Sequence, residues 1–317
     1  MLASNPNSTG RRTALAQWLT RADNPLSTRV MVNRIWNYHF GRGIVGTPSD
    51  FGMMGERPTN SALLDWLTAT FVEQGWSMKK MHRLIMLSSV YQQSSAFNEE
   101  SAKADPDNKL LWRFGRQRLT GEEIRDSILA VSGQLNRQMF GPAVFPEIPE
   151  GLEIRGGWKK NESEEARNRR SIYVFVRRNS RYPMFAAFDM PDTHESCARR
   201  AVTTTAPQAL SLLNDKVILR AAMAFASRVL KDCEADVNAQ IAAAYRLAFS
   251  REPDANDRQM ALEFLRKQTA IIKTRLEAKQ PVAQLANLPA GIDPSHAAAF
   301  VDLCHALLNS NEFVYVN

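Results

Sequence analysis

The sequence predicts a mainly α-helical globular fold with a small β element inside an irregular, loop-rich middle. Apolar residues recur at intervals of three and four over most of the chain, which is the pattern of amphipathic helices. One short run, SIYVFVRR, is rich enough in β-branched and aromatic residues to predict a strand. Glycine and proline interrupt residues 137–168, where no helical period holds. The flanks should therefore be more regular than the middle.

The first third of the chain is predicted to form four helices. Asn24-Pro25 and Gly41 mark two of the breaks between them, because proline and glycine interrupt helices. Ser27 or Thr28 is the expected N-cap of the second helix, since a hydroxyl oxygen can accept a hydrogen bond from the first turn. The four helices are expected at residues 12–21, 28–40, about 59–74 and about 77–91.

The remainder is predicted as an exposed loop, a capped helix, the irregular middle and a second group of helices. Residues 94–109, SSAFNEESAKADPDNK, are mostly polar and predict the loop. Thr120 and Glu123 have the spacing of a capping box for a helix that lasts to about Asn136. The strand is expected at residues 171–178. The later helices are expected at residues 206–213, 217–231, 237–249, about 254–279 and 295–308.

The domain organisation follows from this distribution of elements. We expect one domain over residues 1–317, within which two helical lobes, about 1–136 and 205–317, are joined by the loop-rich middle at about 137–204. No internal repeat of fixed period occurs, so a repeat architecture is not predicted.

Composition and cysteine content limit the class of protein. At 317 residues, 44% hydrophobic and 23% charged, the chain has the composition of a globular protein with a large core. It contains no run of about 18 apolar residues and no signal-peptide pattern, so no membrane span is predicted. Cys197, Cys233 and Cys304 form neither a zinc motif nor a haem motif. The last two are expected to be buried apolar side chains.

The net charge of +7 is concentrated in the middle of the chain. Residues 155–200 contain eleven Lys/Arg and six Asp/Glu, which is a local excess of +5. Such an excess fits a polyanion: nucleic acid, anionic lipid headgroups, or an acidic or sulfated glycan. A solvated surface with internal ion pairs also fits it. Nucleic acid is the least favoured partner, because no helix-turn-helix, zinc-finger or RNP motif is present.

The main candidate site lies in the run RRNSRYPMFAAFDMPDTHESCARRAVTTTAPQALSLLND at residues 177–215. This run mixes buried-type aromatic residues with four acids, five arginines, a histidine and a cysteine, and burial perturbs such charged groups in functional sites. Asp189, Asp192, His194 and Arg200 are the candidate catalytic residues, since two carboxylates and an imidazole can form an acid/base pair.

Two other interpretations of this run stay open, and a metal site is not one of them. A metal would need more carboxylate and histidine ligands than this one cluster supplies, so no metal site is predicted. Cys197 could act with His194 as a Cys–His nucleophile, because nearby cations activate a thiol. Alternatively, Asp189 and Asp192 cap turns around Pro191 and the arginines pair with them.

A second candidate site lies in the run VMVNRIWNYHFGRG, which contains Asn33 and His39. The helix dipole should stabilise the charged form of His39, and its imidazole is expected to hydrogen-bond the last carbonyls of the helix. Asn33 and His39 join Arg177, Arg178 and Arg199 as the candidate ligand-binding residues. Familiar catalytic motifs, such as a phosphate loop or a nucleophile elbow, do not occur in the sequence.

Several long motifs, which together cover almost the whole chain, match one known family. Two lie near the N-terminus: STGRRTALAQWLTRADNPLSTRVMVNRIWNYHFGRGIVGTPSDFGMMGERPTN and LLDWLTATFVEQGWSMKKMHRLIMLSSVYQQSS. Three follow: NKLLWRFGRQRLTGEEIRDSILAVSGQL, FAAFDMPDTHESCARRAVTTTAPQALSLLND and DLCHALLNSNEFVYVN. On these motifs the chain resembles the planctomycete-type domain of unknown function 1553. The family supplies no catalytic residues to carry over.

The resemblance implies a place within a larger exported protein. In that family the domain is usually C-terminal, a second domain of unknown function precedes it, and a cytochrome c-like domain often lies further upstream. The chain would then be a truncated or split piece in an extracytoplasmic location, with those upstream domains as partners. No cofactor is expected in this chain, which has no C-x-x-C-H motif, and any haem would belong to the upstream part. The frequent occurrence of such proteins beside sulfatases and polysaccharide-degrading enzymes implies a role with glycans.

Three functions are compatible with these observations. The first is an uncharacterised C-terminal module of a multidomain exported protein, acting as a helical scaffold or a ligand-binding domain, and it fits the missing catalytic motifs best. The second is a carbohydrate-active enzyme domain, redox in character, that uses residues 177–200. The third is a binder of polyanions or sulfated glycans through residues 155–200. Whether the protein is an enzyme stays open.

Overall fold

Helices dominate the computed structural model, which describes residues 9–149 and 157–316. The predicted class, mainly α with a small β element, is confirmed. The helices are α1 (Arg11–Leu19), α2 (Ser27–Phe40), α3 (Ser61–Glu73), α4 (Met78–Met86), α5 (Glu99–Ala104), α6 (Gly121–Val131), α7 (Glu164–Arg167), α8 (Pro183–Ala187), α9 (Ala206–Asn214), α10 (Lys216–Cys233), α11 (Val237–Phe249), α12 (Ala255–Glu277), α13 (Pro294–Leu308) and α14 (Asn311–Val314). Strands β1 (Gln117–Arg118) and β2 (Tyr315–Val316) form a two-stranded sheet.

Contacts between Cα atoms divide the described chain into two compact units. The first unit covers residues 9–117 and the second covers residues 118–316. Each unit has a hydrophobic core of its own. The single domain over residues 1–317, with helical lobes at about 1–136 and 205–317, stays a prediction.

The core of the first unit forms where α3 and α4 pack against α2. Trp36 and Phe40 lie one helical turn apart on α2 and are buried in one cluster with Leu67 of α3 and Met81 of α4. This spacing is the one that the sequence predicts for a core-facing stripe. By contrast, no residue of α1 is buried, although its sequence predicts an apolar side.

The side chain of Asn24 satisfies the start of α2, which corrects the expectation of a Ser27 or Thr28 cap. Its Oδ1 accepts hydrogen bonds from the backbone N–H groups of Leu26 and Ser27 at 2.9 and 3.1 Å. Its Nδ2 donates to the carbonyl of Trp18 at 2.9 Å. Thr28 instead donates its hydroxyl proton to the carbonyl of Asn24. One buried carboxamide thus joins the end of α1 to the start of α2.

The core of the second unit is built on α10, α12 and α13. Phe225 of α10 and Phe300 of α13 are completely buried in it. Both helices also bury several alanines: Ala221, Ala222 and Ala226 of α10, and Ala297, Ala298 and Ala299 of α13. Small side chains let two helices approach closely, because the distance between helix axes depends on the side chains at the contact.

The strand predicted at residues 171–178 is wrong. Ser171–Tyr173 forms a 3₁₀ turn, and Val174 then makes an isolated bridge with Val144. Ile172 and Val176 are exposed and do not pack on a sheet. β-branched and aromatic residues favour strands through packing against neighbouring strands, and a single bridge does not supply that packing.

The predicted loop at residues 94–109 is wrong for the six residues of α5. Asn98 Oδ1 accepts a hydrogen bond from the backbone N–H of Ser101 at 2.9 Å and so caps the helix. Glu99 and Lys103 form an ion pair of 2.8 Å one turn apart. Acidic residues in the first turn and a lysine in the last turn suit the helix dipole, so short-range interactions explain α5.

We expect Phe300→Ala to lower the free energy of unfolding by about 3–5 kcal/mol, because truncation leaves a cavity in a packed core. Met260→Ala on α12 is the control: Met260 is 53% exposed, and its truncation should cost no more than about 0.5 kcal/mol. Urea unfolding followed by circular dichroism measures both changes. Equal losses for the two variants would contradict the assigned core.

Candidate functional site

Asp189 forms a half-buried ion pair with Arg118 in the second unit. The Oδ2 atom of Asp189 lies 2.7 Å from Nη2 of Arg118, and the side chains are 16% and 4% exposed. Thr203 donates to the same carboxylate through its backbone N–H at 2.9 Å and its hydroxyl at 2.8 Å. Burial alone would raise the pKa of Asp189, but the hydrogen bonds from Thr203 and Arg118 bring it below its ordinary value. The carboxylate is charged, and its oxygens are occupied by protein donors.

Arg118 was not marked by any sequence pattern, although it is central to this site. It donates to the carbonyls of Thr203 at 3.1 Å and Phe188 at 3.3 Å, and its guanidinium carbon lies 5.3 Å from the centroid of the Phe188 ring. These partners are 85 and 70 positions away in sequence. Local periodicity describes neighbours on one element, so it cannot reveal such a partner.

Arg200 forms the second ion pair of this segment. Its Nη1 and Nη2 atoms lie 2.8 and 3.0 Å from the two carboxylate oxygens of Glu122 on α6. Burial raises the pKa of Glu122, but the hydrogen bond from Arg200 helps to bring it below its ordinary value. Together with the Asp189–Arg118 pair, this contact attaches both ends of residues 189–200 to the chain around the start of α6.

The residues between these two ion pairs form an exposed turn. Asp192 Oδ1 accepts hydrogen bonds from the backbone N–H groups of His194 at 2.9 Å and Glu195 at 3.3 Å, and these bonds lower the pKa of Asp192. Cys197 is exposed, and its Sγ lies 3.2 Å from the carbonyl oxygen of Arg199. Asp192 is therefore used as a turn cap. Catalytic roles for Asp189, Asp192, His194 and Arg200 stay predictions.

Asn33 shapes a turn of the first unit. Its Nδ2 donates to the carbonyl of Val45 at 3.0 Å, and its Oδ1 accepts from the backbone N–H of Val45 at 2.8 Å. The residue is completely buried. A Cβ atom at Gly43 would lie 2.6 Å from Nδ2 of Asn33, so this approach requires glycine. Its carboxamide is used by the fold, and a ligand-binding role stays a prediction.

His39 pairs with His82, which corrects the expectation that it bonds the last carbonyls of its helix. The Nε2 atom of His39 lies 2.8 Å from Nδ1 of His82, so one nitrogen donates and the other accepts. The Tyr91 ring packs edge-on against His39, with ring centroids 5.4 Å apart. Burial, and then the neighbouring His82, lower the pKa of His39. The neutral form is therefore favoured, and the expected charged form is wrong.

Arg125 of α6 is a buried cation that holds the loop-rich middle of the second unit. Its Nη1 donates to the carbonyl of Arg169 at 3.0 Å and to Ser171 Oγ at 3.1 Å, and its Nη2 donates to the carbonyl of Arg167 at 2.5 Å. Burial lowers its pKa. The sequence did contain a signal that was missed, because Arg125 precedes the buried Leu129 by one helical turn and so occupies the core-facing side of α6.

The three remaining candidate ligand-binding residues make no ion pair with the residues that the structure describes. Arg178 and Arg199 are exposed, and Arg177 is half-buried. Their guanidinium groups are absent from the ion pairs of the second unit. Binding by Arg177, Arg178 and Arg199 stays a prediction.

Metal-ligating and thiol groups are scattered. Within residues 9–149 and 157–316, no group of three or more His, Cys, Asp or Glu is placed to hold a metal ion. None of the helices in this part of the chain has both the length and the apolar composition that a bilayer crossing requires. All three cysteines are free. Cys304 is buried as expected and Cys233 is half-buried, and burial raises the pKa of both thiols.

Residues 11–265 match the model of one protein family, PSD1, described as a protein of unknown function (DUF1553). The chain belongs to this family. The match spans well over half of the sequence and confirms the resemblance drawn from the motifs. No curated protein and no solved structure matches the chain. Membership of this family therefore identifies the domain but indicates no activity.

We expect Asp189→Asn to lower the free energy of unfolding by about 2 kcal/mol, because it leaves the buried Arg118 without a counter-charge. Asp192→Asn is the matched control on the same segment, and it should leave the unfolding midpoint unchanged within error because Asp192 lies at the surface. Chemical denaturation of both variants at neutral pH measures the difference. A midpoint shift of the same size in both would contradict a stabilising Asp189–Arg118 pair.

The His39–His82 pair should make the protein less stable in mild acid. The folded-state pKa of His39 is below the unfolded value of about 6.5, so its contribution is complete above that pH and is lost as the pH falls through the folded value. We expect His39→Gln to flatten the dependence of unfolding free energy on pH below about pH 6.5 relative to the wild type. Denaturation series at several pH values test this, and an unchanged slope would count against it.

Proposed function

We propose that the second unit is the ligand-binding part of this module and that it binds an anionic glycan through unpaired arginines. The main support is the charge distribution in two neighbouring segments. Residues 135–146 and 166–188 contain seven arginines, no lysine and no acidic residue. Among the described residues, none of these seven arginines forms an ion pair. A solvated surface with internal ion pairs would show carboxylates here.

Three of the seven arginines are used by the fold. Arg167 donates to two carbonyls of the preceding loop, at 2.7 and 2.6 Å. Arg169 donates to the carbonyls of Pro142, at 2.9 Å, and Phe140. Arg181 donates to the carbonyl of Met190 at 3.0 Å. Carbonyl oxygens accept hydrogen bonds from these guanidinium groups without neutralising them, so their positive charge still acts on the surroundings.

The other four arginines lie among exposed apolar side chains. We call this group the arginine surface: Arg137, Arg170, Arg177 and Arg178, with Met139, Phe140, Ile172, Phe175 and Val176. Its two segments run side by side. The backbone N–H of Phe140 donates to the hydroxyl of Tyr173 at 2.7 Å, and that of Phe175 donates to the carbonyl of Val144 at 2.9 Å.

The chemistry of the arginine surface suits sulfate or carboxylate groups on a sugar chain. A guanidinium presents a planar fork of donors that matches the oxygens of such anions, whereas lysine presents a point charge. Phe140 is 78% exposed, and an aromatic face has a negative quadrupole that attracts the polarised C–H bonds of a sugar ring. Arginine beside exposed aromatic rings therefore provides for both parts of an anionic glycan.

A groove of about 680 Å³ adjoins this surface at Arg137. Arg228 and Lys231 of α10 also line it, and Asp232 is its one acidic residue. Arg228 is anchored by donating to the carbonyl of Val131 at 2.9 Å. The groove extends the positive surface, which suits a polymer better than a single small anion.

The cellular setting is part of the proposal and rests on the family resemblance. The module would act outside the cytoplasm as the C-terminal part of a larger protein, with the upstream domains as its partners and any haem held by them. A glycan bound on the arginine surface would place those domains next to the polysaccharide.

Retention on immobilised heparin, a sulfated glycan, tests the proposal. We expect salt-sensitive retention of the wild-type protein. The triple variant Arg170→Gln, Arg177→Gln, Arg178→Gln should bind about tenfold more weakly, since each exposed charge contact is worth up to about 1 kcal/mol.

The matched control has the same change of charge at another place in the second unit. Arg266→Gln, Lys273→Gln and Arg275→Gln replace three exposed cations of α12 that make no ion pair among the described residues, and this variant should be retained like the wild type. Equal weakening of both triple variants would show a general charge effect and contradict the site. Elution of the wild type at low salt, or tighter binding of polyglutamate or single-stranded DNA than of heparin, would contradict the glycan.

A further inference from the structure

A cavity of about 140 Å³ lies in the second unit, where Arg167 and Asn168 line it together with residues of several helices. Its walls come from α6, from the end of α7, from Tyr182, and from Asp215 with the first turns of α10. Arg125 lines it and, through its hydrogen bonds to the carbonyls of Arg167 and Arg169, fixes one wall. The cavity is separate from the arginine surface, because no residue belongs to both.

The charges around the cavity cancel. Three arginines line it, and so do three carboxylates. They are Arg125, Arg167, Arg220, Glu147, Glu164 and Asp215. Arg220 and Glu147 pair with each other at 2.6 Å. An anionic ligand would face the carboxylates and a cationic ligand would face the arginines, so the charge balance favours a neutral ligand.

Several polar groups of the cavity wall have unused hydrogen-bonding capacity. Asp215 caps α10 by accepting from the backbone N–H of Val217 with Oδ1, at 2.7 Å, and its Oδ2 accepts from no described residue. The carboxamide of Asn168 makes no hydrogen bond to the described protein. Tyr182 is buried with its phenol near the Arg125 guanidinium, which can only donate, so the phenol proton is available to a ligand. Asp215 thus offers a hydrogen-bond acceptor, the Tyr182 phenol offers a donor, and the Asn168 carboxamide offers both.

The rest of the wall is apolar, and the space fits one small ring. Ile128, Leu129, Met184 and Ile218 provide most of the apolar wall. A cavity of about 150 Å³ is known to hold benzene, and the exposed Glu164 and Arg220 show that this cavity is open to solvent, so the hydroxyl groups of a larger ring can extend past its rim. Polar groups with spare donors and acceptors beside an apolar face match a molecule that has hydroxyl groups around its edge and C–H bonds on its faces.

We propose that this cavity binds a neutral, hydroxyl-bearing ring molecule of monosaccharide size. The ring packs against Ile128 and Ile218. Its hydroxyl groups donate to Asp215 Oδ2 and accept from the Tyr182 phenol, while Asn168 bonds a neighbouring hydroxyl in both directions. Binding here does not require the arginine surface, so the two proposed sites can be tested independently of each other.

Ligand-observed saturation-transfer NMR on the full chain tests the cavity, with D-xylose, D-glucose and myo-inositol as the probes and D-glucuronate as the charged comparison. We expect at least one neutral probe to bind, and glucuronate to bind more weakly than glucose. Asp215→Ser keeps the helix cap but removes the carboxylate, and Tyr182→Phe removes one hydroxyl. Each should weaken binding about tenfold, the usual effect of losing one hydrogen bond to a buried polar group.

The controls separate this site from the fold and from the arginine surface. Asp192→Ser, at the exposed turn, should bind the probes like the wild type. The triple variant of Arg170, Arg177 and Arg178 should also bind these probes, although its binding to heparin is weakened. Binding of none of the three neutral probes, tighter binding of glucuronate, or unchanged affinity in both the Asp215 and Tyr182 variants when circular dichroism shows them folded would overturn the proposal.

Discussion

The second unit depends on the burial of one positive charge, the guanidinium of Arg125. A buried cation without hydrogen bonds is costly, and this one obtains them from the carbonyls of Arg167 and Arg169 and from the hydroxyl of Ser171. A segment that lacks the regular hydrogen bonds of a helix or sheet is thereby fixed on α6. Both proposed sites use residues of this segment, because Arg170 belongs to the arginine surface and Arg167 and Asn168 line the cavity.

Residues 189–200, which lie in the main candidate site of the sequence, use most of their charged groups for structure. Asp189 is occupied by Arg118 and Thr203, and Arg200 is occupied by Glu122. A mixture of acids and arginines in one stretch of sequence therefore does not distinguish a reactive site from a clamped loop. The distinction depends on whether each charged group has a partner of opposite charge. In this chain the arginines without a carboxylate partner indicate a binding site better than the acidic residues do.

Local interactions made much of the fold predictable, and distant ones did not. The capping box of Thr120 and Glu123, three positions apart, was predicted correctly because both partners lie in one turn. The predicted strand at residues 171–178 failed because its residues prefer a sheet that this part of the chain does not provide. The site was least predictable, since Arg118 and Asp189 are 71 positions apart and only the folded chain brings them together.

The buried alanines of α10 and α13 have a consequence for how this family can change over time. Ala222 and Ala299 are completely enclosed, so a larger side chain at either position needs space that a neighbour must give up. Substitutions at such positions are tolerated in compensating pairs more readily than singly. The contact between these two helices should therefore appear in related sequences as invariant small residues or as positions that vary together.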